Sequence, residues 1–286
     1  MKSLLLISFL AIYAGNSFGQ TDSTASNADS TVAKSSLTLG AVYSNNASYY
    51  GQSAETRIPY AAIAANYRLK SGFYFSAQTF KILNENTSSV SAGSIGAGVN
   101  FKVAKNFSTD ISYNHTFYPA YSPLLQAGNA DNASMVLSLE KWLTASITGD
   151  YAFGKTNDAF VTVGASKEIN LFSIGAKDIV TITPSANIVA GTQHYYETYV
   201  TEKKLRDSLL GLITDPLFGN PGSTENKTVV TTSFNLLSYN FKIPLAYNRT
   251  HYVLEAEYQI SALSKFAQTA PDKINSFLTF SFYYQF

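Results

Sequence analysis

The sequence predicts an all-β chain, an antiparallel up-and-down transmembrane β-barrel of about twelve strands, with short turns at one rim and longer loops at the other. Three observations predict it. Apolar and polar residues alternate with a period of two over stretches of ten or more residues, the pattern of a strand with two unlike faces. Charged residues are 14% of the chain, against about 25% in an average soluble domain, while aromatics also reach 14%, with 20 Tyr and 19 Phe. The connections between the alternating stretches are themselves alternately short and long.

In chain order, Met1-Lys2 supplies a positive charge, Leu4 to Ala14 an apolar run, and Ser17-Phe18-Gly19 a small-residue site. Residues 1–19 therefore read as a secretory signal, because an apolar run of about a dozen residues is too short to span a bilayer. Residues 20–35, rich in Ser, Thr, Ala, Asp and Asn, are predicted to be a disordered lead-in, and residues 36–286 the barrel. No later apolar run approaches the ~18 residues of a membrane helix, so a membrane-crossing chain must cross as strands.

Strands are predicted at 36–44, 57–69, 73–83, 90–102, 107–118, 133–140, 142–153, 158–169, 178–191, 228–241, 249–263 and 275–286. Short connections centre on Ser71, Lys105, Lys141, Phe172–Ala176 and Ile243–Tyr247. Long ones include Asn45–Thr56, Pro119–Asn132, Thr192–Lys227 and Ser264–Ile274, and Lys155-Thr156 is the short exception. The last strand is the clearest. Ser276, Leu278, Phe280, Phe282, Tyr284 and Phe286 share one face, and Asn275, Phe277, Thr279, Ser281, Tyr283 and Gln285 the other. It is expected to pair with Ser36–Ser44 and close the sheet, since every backbone group inside lipid needs a partner. A soluble β-sandwich would also alternate, but with shorter strands and an exterior rich in Lys and Glu.

The secretory start, the hairpin Ala65-Asn66-Tyr67-Arg68-Leu69-Lys70-Ser71-Gly72-Phe73-Tyr74-Phe75 and the terminal Tyr-Tyr-Gln-Phe resemble the outer-membrane β-barrel proteins of Gram-negative bacteria. That resemblance implies a cell outer-membrane location, with outer-membrane lipid around the wall. It also implies insertion by the barrel-assembly machinery, for which Phe280, Phe282, Tyr284 and Phe286 match the assembly signal.

The polar faces carry Ser, Thr, Asn, Gln and Gly with few charges. Glu255 and Glu257 are predicted to point inward, two positions apart and about 7 Å along the strand. Arg68, Lys102 and Asp110 are the other lumen or constriction candidates, and Glu140 and Asp150 are also predicted inward. Such groups serve either as a structural salt-bridge network or as a charged constriction that selects solutes. Gly93-Ser94-Ile95-Gly96-Ala97-Gly98 lies mid-strand with no helix after it, so close packing explains it better than phosphate binding.

The absence of cysteine and the spacing of His115, His194 and His251 give no metal site and point to no cofactor. His115 falls on the lipid-facing register near the long-loop end of its strand, where outer-membrane lipases carry a Ser–His pair. Ser112, however, lies on the opposite face, and a nucleophile needs its base within hydrogen-bond reach. The residues thus predict a non-enzyme. Within the long segment Thr192–Lys227, Glu202 to Ile213 has helix-compatible spacing and a Gly stop. Its apolar residues could fold into the barrel mouth, cover the rim or touch a partner. A net charge of +1 gives no field for nucleic acid. The expected function is a narrow channel or transporter for small solutes. The alternatives are a closed structural or adhesive barrel and, more remotely, a lipolytic enzyme.

Overall fold

The computed structural model describes residues 4–7, 16–19, 35–84, 90–214, 233–268 and 273–286, with 4–7, 16–19 and 205–214 described by backbone alone. The predicted lead-in at 20–35 lies outside them except for its last residue. Leu4–Ile7 pairs with Asn16–Gly19 in a separate two-stranded sheet.

The remaining strands form one closed sheet: β1 (Ser36–Ser44), β2 (Tyr60–Arg68), β3 (Phe73–Ile82), β4 (Ala92–Ala104), β5 (Phe107–Phe117), β6 (Asp131–Glu140) and β7 (Thr144–Phe153). After these come β8 (Asp158–Ser166), β9 (Ile169–Phe172), β10 (Asp178–Ile182) and β11 (Ser185–Gly191). The chain finishes with β12 (Asn235–Arg249), β13 (Tyr252–Leu263) and β14 (Ile274–Gln285). Neighbours along the chain pair antiparallel except β8 with β9 and β10 with β11; β8 pairs with β11, and β14 pairs with β1 from Thr279↔Ser44 to Gln285↔Thr38. The seam extends to the last residue, whose amide donates to Leu37 O at 2.9 Å. The barrel is closed as expected.

Two wall positions are broken strands. β8 and β9 continue one another around Lys167-Glu168, and β10 and β11 around Thr183-Pro184. β12 spans both pieces of the second, pairing with β11 through Asn235–Lys242 and with β10 through Leu245–Arg249. Counted as wall positions, the barrel therefore has about twelve staves.

One predicted boundary is corrected here. Ile243–Tyr247 is not a turn: β12 runs through it, and the turn lies at Thr250-His251. Pro244 had suggested a break. Its carbonyl accepts from Thr183 N at 3.1 Å, so its nitrogen, which lacks a proton, faces the same neighbour. That neighbour is itself interrupted by Pro184, and the missing donor costs no ladder bond. Likewise β7 begins at Thr144 rather than Trp142, which stands 76% exposed in the turn.

The wall faces follow the period of two. Ile63, Phe75, Ile95, Ile111, Tyr113, Ile147, Tyr239, Leu254, Phe280 and Phe282 all point outward and are exposed. An outward girdle this apolar suits an apolar surrounding, as lipid provides. Among the described residues no helix is long and apolar enough to cross a membrane. Inside, glycines make room for aromatic rings from the next stave. A Cβ on Gly98 would stand 2.4 Å from Tyr74 Cζ, one on Gly191 2.4 Å from Phe160, and one on Gly40 2.8 Å from Tyr283. The glycine-rich run of β4 is thus a packing device.

Candidate functional site: a polar lumen under an aromatic plug

The lumen has two unlike halves. Toward the long-loop rim it is filled by three segments that leave the wall and turn inward. The first is the β1–β2 loop. Tyr49 and Gln52 exchange backbone hydrogen bonds at 2.8 and 3.0 Å around Tyr50 (φ 52°) and Gly51 (φ 82°), a two-residue turn with both central residues left-handed. Gly51 fits because a Cβ there would meet Asn240 Oδ1 at 2.2 Å. Ser238 Oγ donates to Tyr50 O at 2.7 Å, and Asn275 Nδ2 donates to Gly51 O at 3.1 Å, pinning the tip to β12 and β14.

The second segment is the β5–β6 loop with a 3₁₀ turn at Leu125–Gly128, all four residues buried. The third is the first turn of helix α1 (His194–Thr214). Together they bury Tyr49, Tyr50, Tyr195, Leu124 and Phe160 almost completely. Tyr50 stacks on Phe160 with centroids 3.8 Å apart, and Tyr49 meets both Tyr50 and Tyr195 edge-on at 4.8 Å. Aromatic pairs in these orientations add about 0.5–1.5 kcal/mol each beyond their buried area.

One carboxylate ties the plug together. Asp158, at the start of β8, is 1% exposed. Its Oδ1 accepts from Thr192 Oγ1 and from His194 N, both at 2.7 Å, and lies 3.1 Å from His194 Nδ1. Its Oδ2 accepts from Asn129 Nδ2 and Tyr195 N, both at 2.9 Å. The carboxylate therefore caps the amino end of α1, where free amides and the helix dipole favour negative charge. It also joins the helix to the β5–β6 loop. Asn129 in turn accepts from Thr156 Oγ1 at 2.6 Å, and Gln52 Nε2 donates to the Tyr195 hydroxyl at 2.5 Å. At the surface, Lys155 pairs with Glu202 and Lys203 with Glu55. Burial pushes the Tyr49 and Tyr195 phenols well above their ordinary range, helped for both by the nearby Asp158 charge.

Toward the short-turn rim the lumen is polar. Arg68 on β2, Asp110 on β5 and Tyr74 on β3 form a chain: the guanidinium lies 5.4 Å from the Tyr74 ring, and the Tyr74 hydroxyl donates to Asp110 Oδ1 at 2.8 Å. The tyrosine ring crosses over Gly98 to do so. Arg68 and Asp110 thus meet through a tyrosine. No ion pair within 4.0 Å joins them among the described residues. Lys102 is exposed at the end of β4, where the register shifts between Lys102 and Ala104, and stands apart from both.

Across the lumen, Glu257 on β13 is buried, with Oε1 3.6 Å from Lys242 Nζ on β12. Glu255 sits one pleat away on the same inward face. Glu140 and Asp150 lie on the inward faces of β6 and β7. Buried atoms without a hydrogen-bond partner among the described residues include Asn66 Nδ2, Arg68 Nε, Asp110 Oδ2, Ser112 Oγ, Glu257 Oε2 and Ser281 Oγ. These six belong to the polar half, and Ser48 Oγ and Gln126 Nε2 are their counterparts in the plug.

The structure thus brings Arg68 together with Asp110, and Glu255 with Glu257, as separate groups. It adds what the sequence reading missed: Asp158, Asn129, Gln52 and the tyrosines of the plug. The Tyr-Tyr-Gly-Gln segment carried a signal, because Gly before Gln in an otherwise polar loop permits the tight turn that drives two aromatics inward. The helix also differs from its predicted span. It starts at His194, eight residues before Glu202, because its cap comes from Asp158, and it runs through Gly211.

On the outer wall His115 Nδ1 lies 2.7 Å from Asp131 Oδ1, which also accepts from the Tyr113 hydroxyl at 2.5 Å. Phe117 packs edge-on against the imidazole at 4.6 Å, and Ser112 points into the barrel. Among the described residues no cluster of three or more His, Cys, Asp or Glu could hold a metal ion.

No protein-family model matches the chain, and no curated protein does. Among solved structures, a KdgM porin is similar with 9% identity and a TM-score of 0.47, over 88% of this chain and 99% of that one. LpxR from Salmonella typhimurium is similar with 8% identity and a TM-score of 0.45, over 87% and 99%. An outer-membrane channel from Pseudomonas putida F1 is similar with 9% identity and a TM-score of 0.41, over 88% and 96%. These likenesses add nothing to what the strand register already establishes: this chain is a closed, antiparallel, all-β barrel.

Proposed function

We propose that this chain is an integral outer-membrane barrel that passes small solutes through a narrow lumen, closed at its outer mouth by its own loops. The observation that carries the reading is the division of labour inside the wall. The obstruction is made of the β1–β2 loop, the β5–β6 loop and the end of α1, which can leave without breaking a wall ladder. The wall beneath is polar and holds buried polar atoms that a water-filled path would satisfy. The outward apolar girdle, the alternation of short turns and long loops, and the signal-like residues 1–19 support the outer-membrane location. Lipid around that girdle and insertion by the barrel-assembly machinery belong to the same reading, with the Phe280, Phe282, Tyr284 and Phe286 face as the recognised end.

The second reading is a permanently closed barrel that acts through its outer loops, and the aromatic packing of Tyr49, Tyr50, Phe160 and Tyr195 favours it. Planar-bilayer recording of the refolded protein separates the two. Current that grows when the plug is loosened supports the channel, and silence in both wild type and loosened variants supports the closed barrel.

A further inference from the structure

The polar half of the lumen is electrically lopsided. Asp110, Glu255 and Glu257 face inward from its wall, whereas its inward cationic groups among the described residues are Arg68 and Lys242, with Glu140 and Lys102 out at the rim. The imbalance is concentrated on β13. Glu255 and Glu257 lie about 7 Å apart along one inward face and share a single ammonium, that of Lys242. Lys242 Nζ stands 3.6 Å from Glu257 Oε1, the distance of an ion pair rather than a hydrogen bond.

Two further buried atoms on this face meet no hydrogen-bond partner among the described residues. Glu257 Oε2 belongs to a residue 3% exposed, and Ser281 Oγ, on the stave beside Glu255 and directly opposite it in register, belongs to one 5% exposed. Ser44 and Thr279 add hydroxyl oxygens, with Thr279 facing Glu257 across the β13–β14 ladder. A buried carboxylate and a half-buried one beside one ammonium are costly, because an uncompensated charge there must find a counter-charge or take up a proton.

We infer that the Glu255–Glu257 face of β13 is a seat for a small monovalent cation of the ammonium type, and that it makes the lumen cation-selective. The inference rests on the channel reading for its transport consequence, whereas the seat itself is a binding property of the barrel. A small cation sits between the two carboxylates, with the Ser281 hydroxyl completing its oxygen shell. Anions meet the same face as a barrier. Carboxylates in two-residue spacing suit a compact monovalent charge better than a divalent metal, which demands more oxygen ligands.

The test uses the refolded full barrel with the β1–β2 loop tip, residues 47–54, replaced by Gly-Ser-Gly and with Asp158→Asn to release the helix and the β5–β6 loop, so that the path is open. Reversal potential is read under a KCl gradient and again with methylammonium chloride. The seat predicts a cation preference of about fivefold or more, which falls close to unity in the Glu255→Gln/Glu257→Gln variant. Anion preference, or a cation preference unchanged by the double variant, would overturn it. Calorimetric titration of the unshortened barrel with methylammonium chloride and potassium chloride gives the second reading. Binding to wild type that is lost in the double variant supports the seat, and equal heats in the two overturn it. Preference for potassium over methylammonium would replace an ammonium ligand with an alkali cation and so overturn the stated ligand. If no shortened barrel conducts, the channel reading fails and the titration alone decides the seat. Glu255→Gln, which leaves the Lys242–Glu257 pair intact, serves if the double variant loses its heat-modifiable gel mobility.

Discussion

The Asp158 carboxylate accepts hydrogen bonds on both oxygens, so asparagine, which has the same shape, can keep only one set. With Oδ1 retained, the amide nitrogen replaces Oδ2 and faces two donors, Asn129 Nδ2 and Tyr195 N, each now 2.9 Å from another donor. Hydrogen bonds to a charged group contribute about 1.5–3 kcal/mol each, and the lost charge at the amino end of α1 adds about 0.3–1 kcal/mol. Asp158→Asn should therefore weaken plug docking by about 3–7 kcal/mol. At about 1.4 kcal/mol per tenfold, that shifts the docked–released equilibrium by about two to five decades. The barrel wall should be untouched, because Asp158 starts β8 and its backbone pairing with Ala152 needs no side chain. The assay is limited trypsin digestion of the refolded protein, read at Lys203-Lys204 of α1, alongside heat-modifiable mobility for the wall. Faster cleavage with unchanged mobility is expected. Cleavage at the wild-type rate would refute the assignment of Asp158 as the tie that holds the plug.

Three further outcomes follow from the same geometry. Gly98→Val places a side chain where the Tyr74 ring crosses, with the Cβ itself 2.4 Å from Tyr74 Cζ and 2.8 Å from Ile111 O. Overpacking of this kind costs about 1–3 kcal/mol, so the urea midpoint of the refolded barrel should fall. Tyr49 and Tyr195 ionise later in the docked plug than in a released one, where a phenol titrates near pH ~10. The released state thus binds fewer protons above pH ~10, and docking should be fully stable below that pH and weaken as pH rises through it. Absorbance at 295 nm should show late-titrating tyrosines in wild type that move toward pH ~10 in Asp158→Asn, and coincident curves would contradict this. Finally, Phe280→Arg puts a charge at the middle of the outward face of β14, at a cost of about 2–4 kcal/mol at mid-bilayer. Removing Phe286 deletes the amide that bonds Leu37 O at the seam. Both should lower the yield of folded barrel in the membrane fraction before they alter any transport.

The wall was legible because lipid outside and a polar lumen inside impose opposite demands on alternate residues. Phe280 and Phe282 could face only outward, and Glu255 and Glu257 only inward. A slip of one residue would reverse all of them. The plug was not legible, because its residues sit in loops with no period. Tyr49 and Tyr50 lie in a Ser- and Asn-rich connection that reads as solvent-exposed, and only the turn at Gly51 directs them inward. Asp158 looked like an ordinary strand-start residue. Its partner is the helix end at His194, and sequence spacing carries no trace of a cap supplied from another stave. Pro244 misled in the other direction. Its missing donor suggested a turn, yet the neighbouring stave breaks at Pro184 where that donor would have been needed. Lys102 shows how little inward parity says at a rim, where the register shift beside it leaves the side chain exposed.

The most direct test of a loop-closed lumen is single-channel recording of wild type beside the barrel whose residues 47–54 are replaced by Gly-Ser-Gly and that carries Asp158→Asn. Rare, brief openings are expected in wild type, and sustained conductance once Tyr49 and Tyr50 no longer occupy the mouth. A shortened barrel that is folded, inserted and silent would contradict a loop-closed lumen.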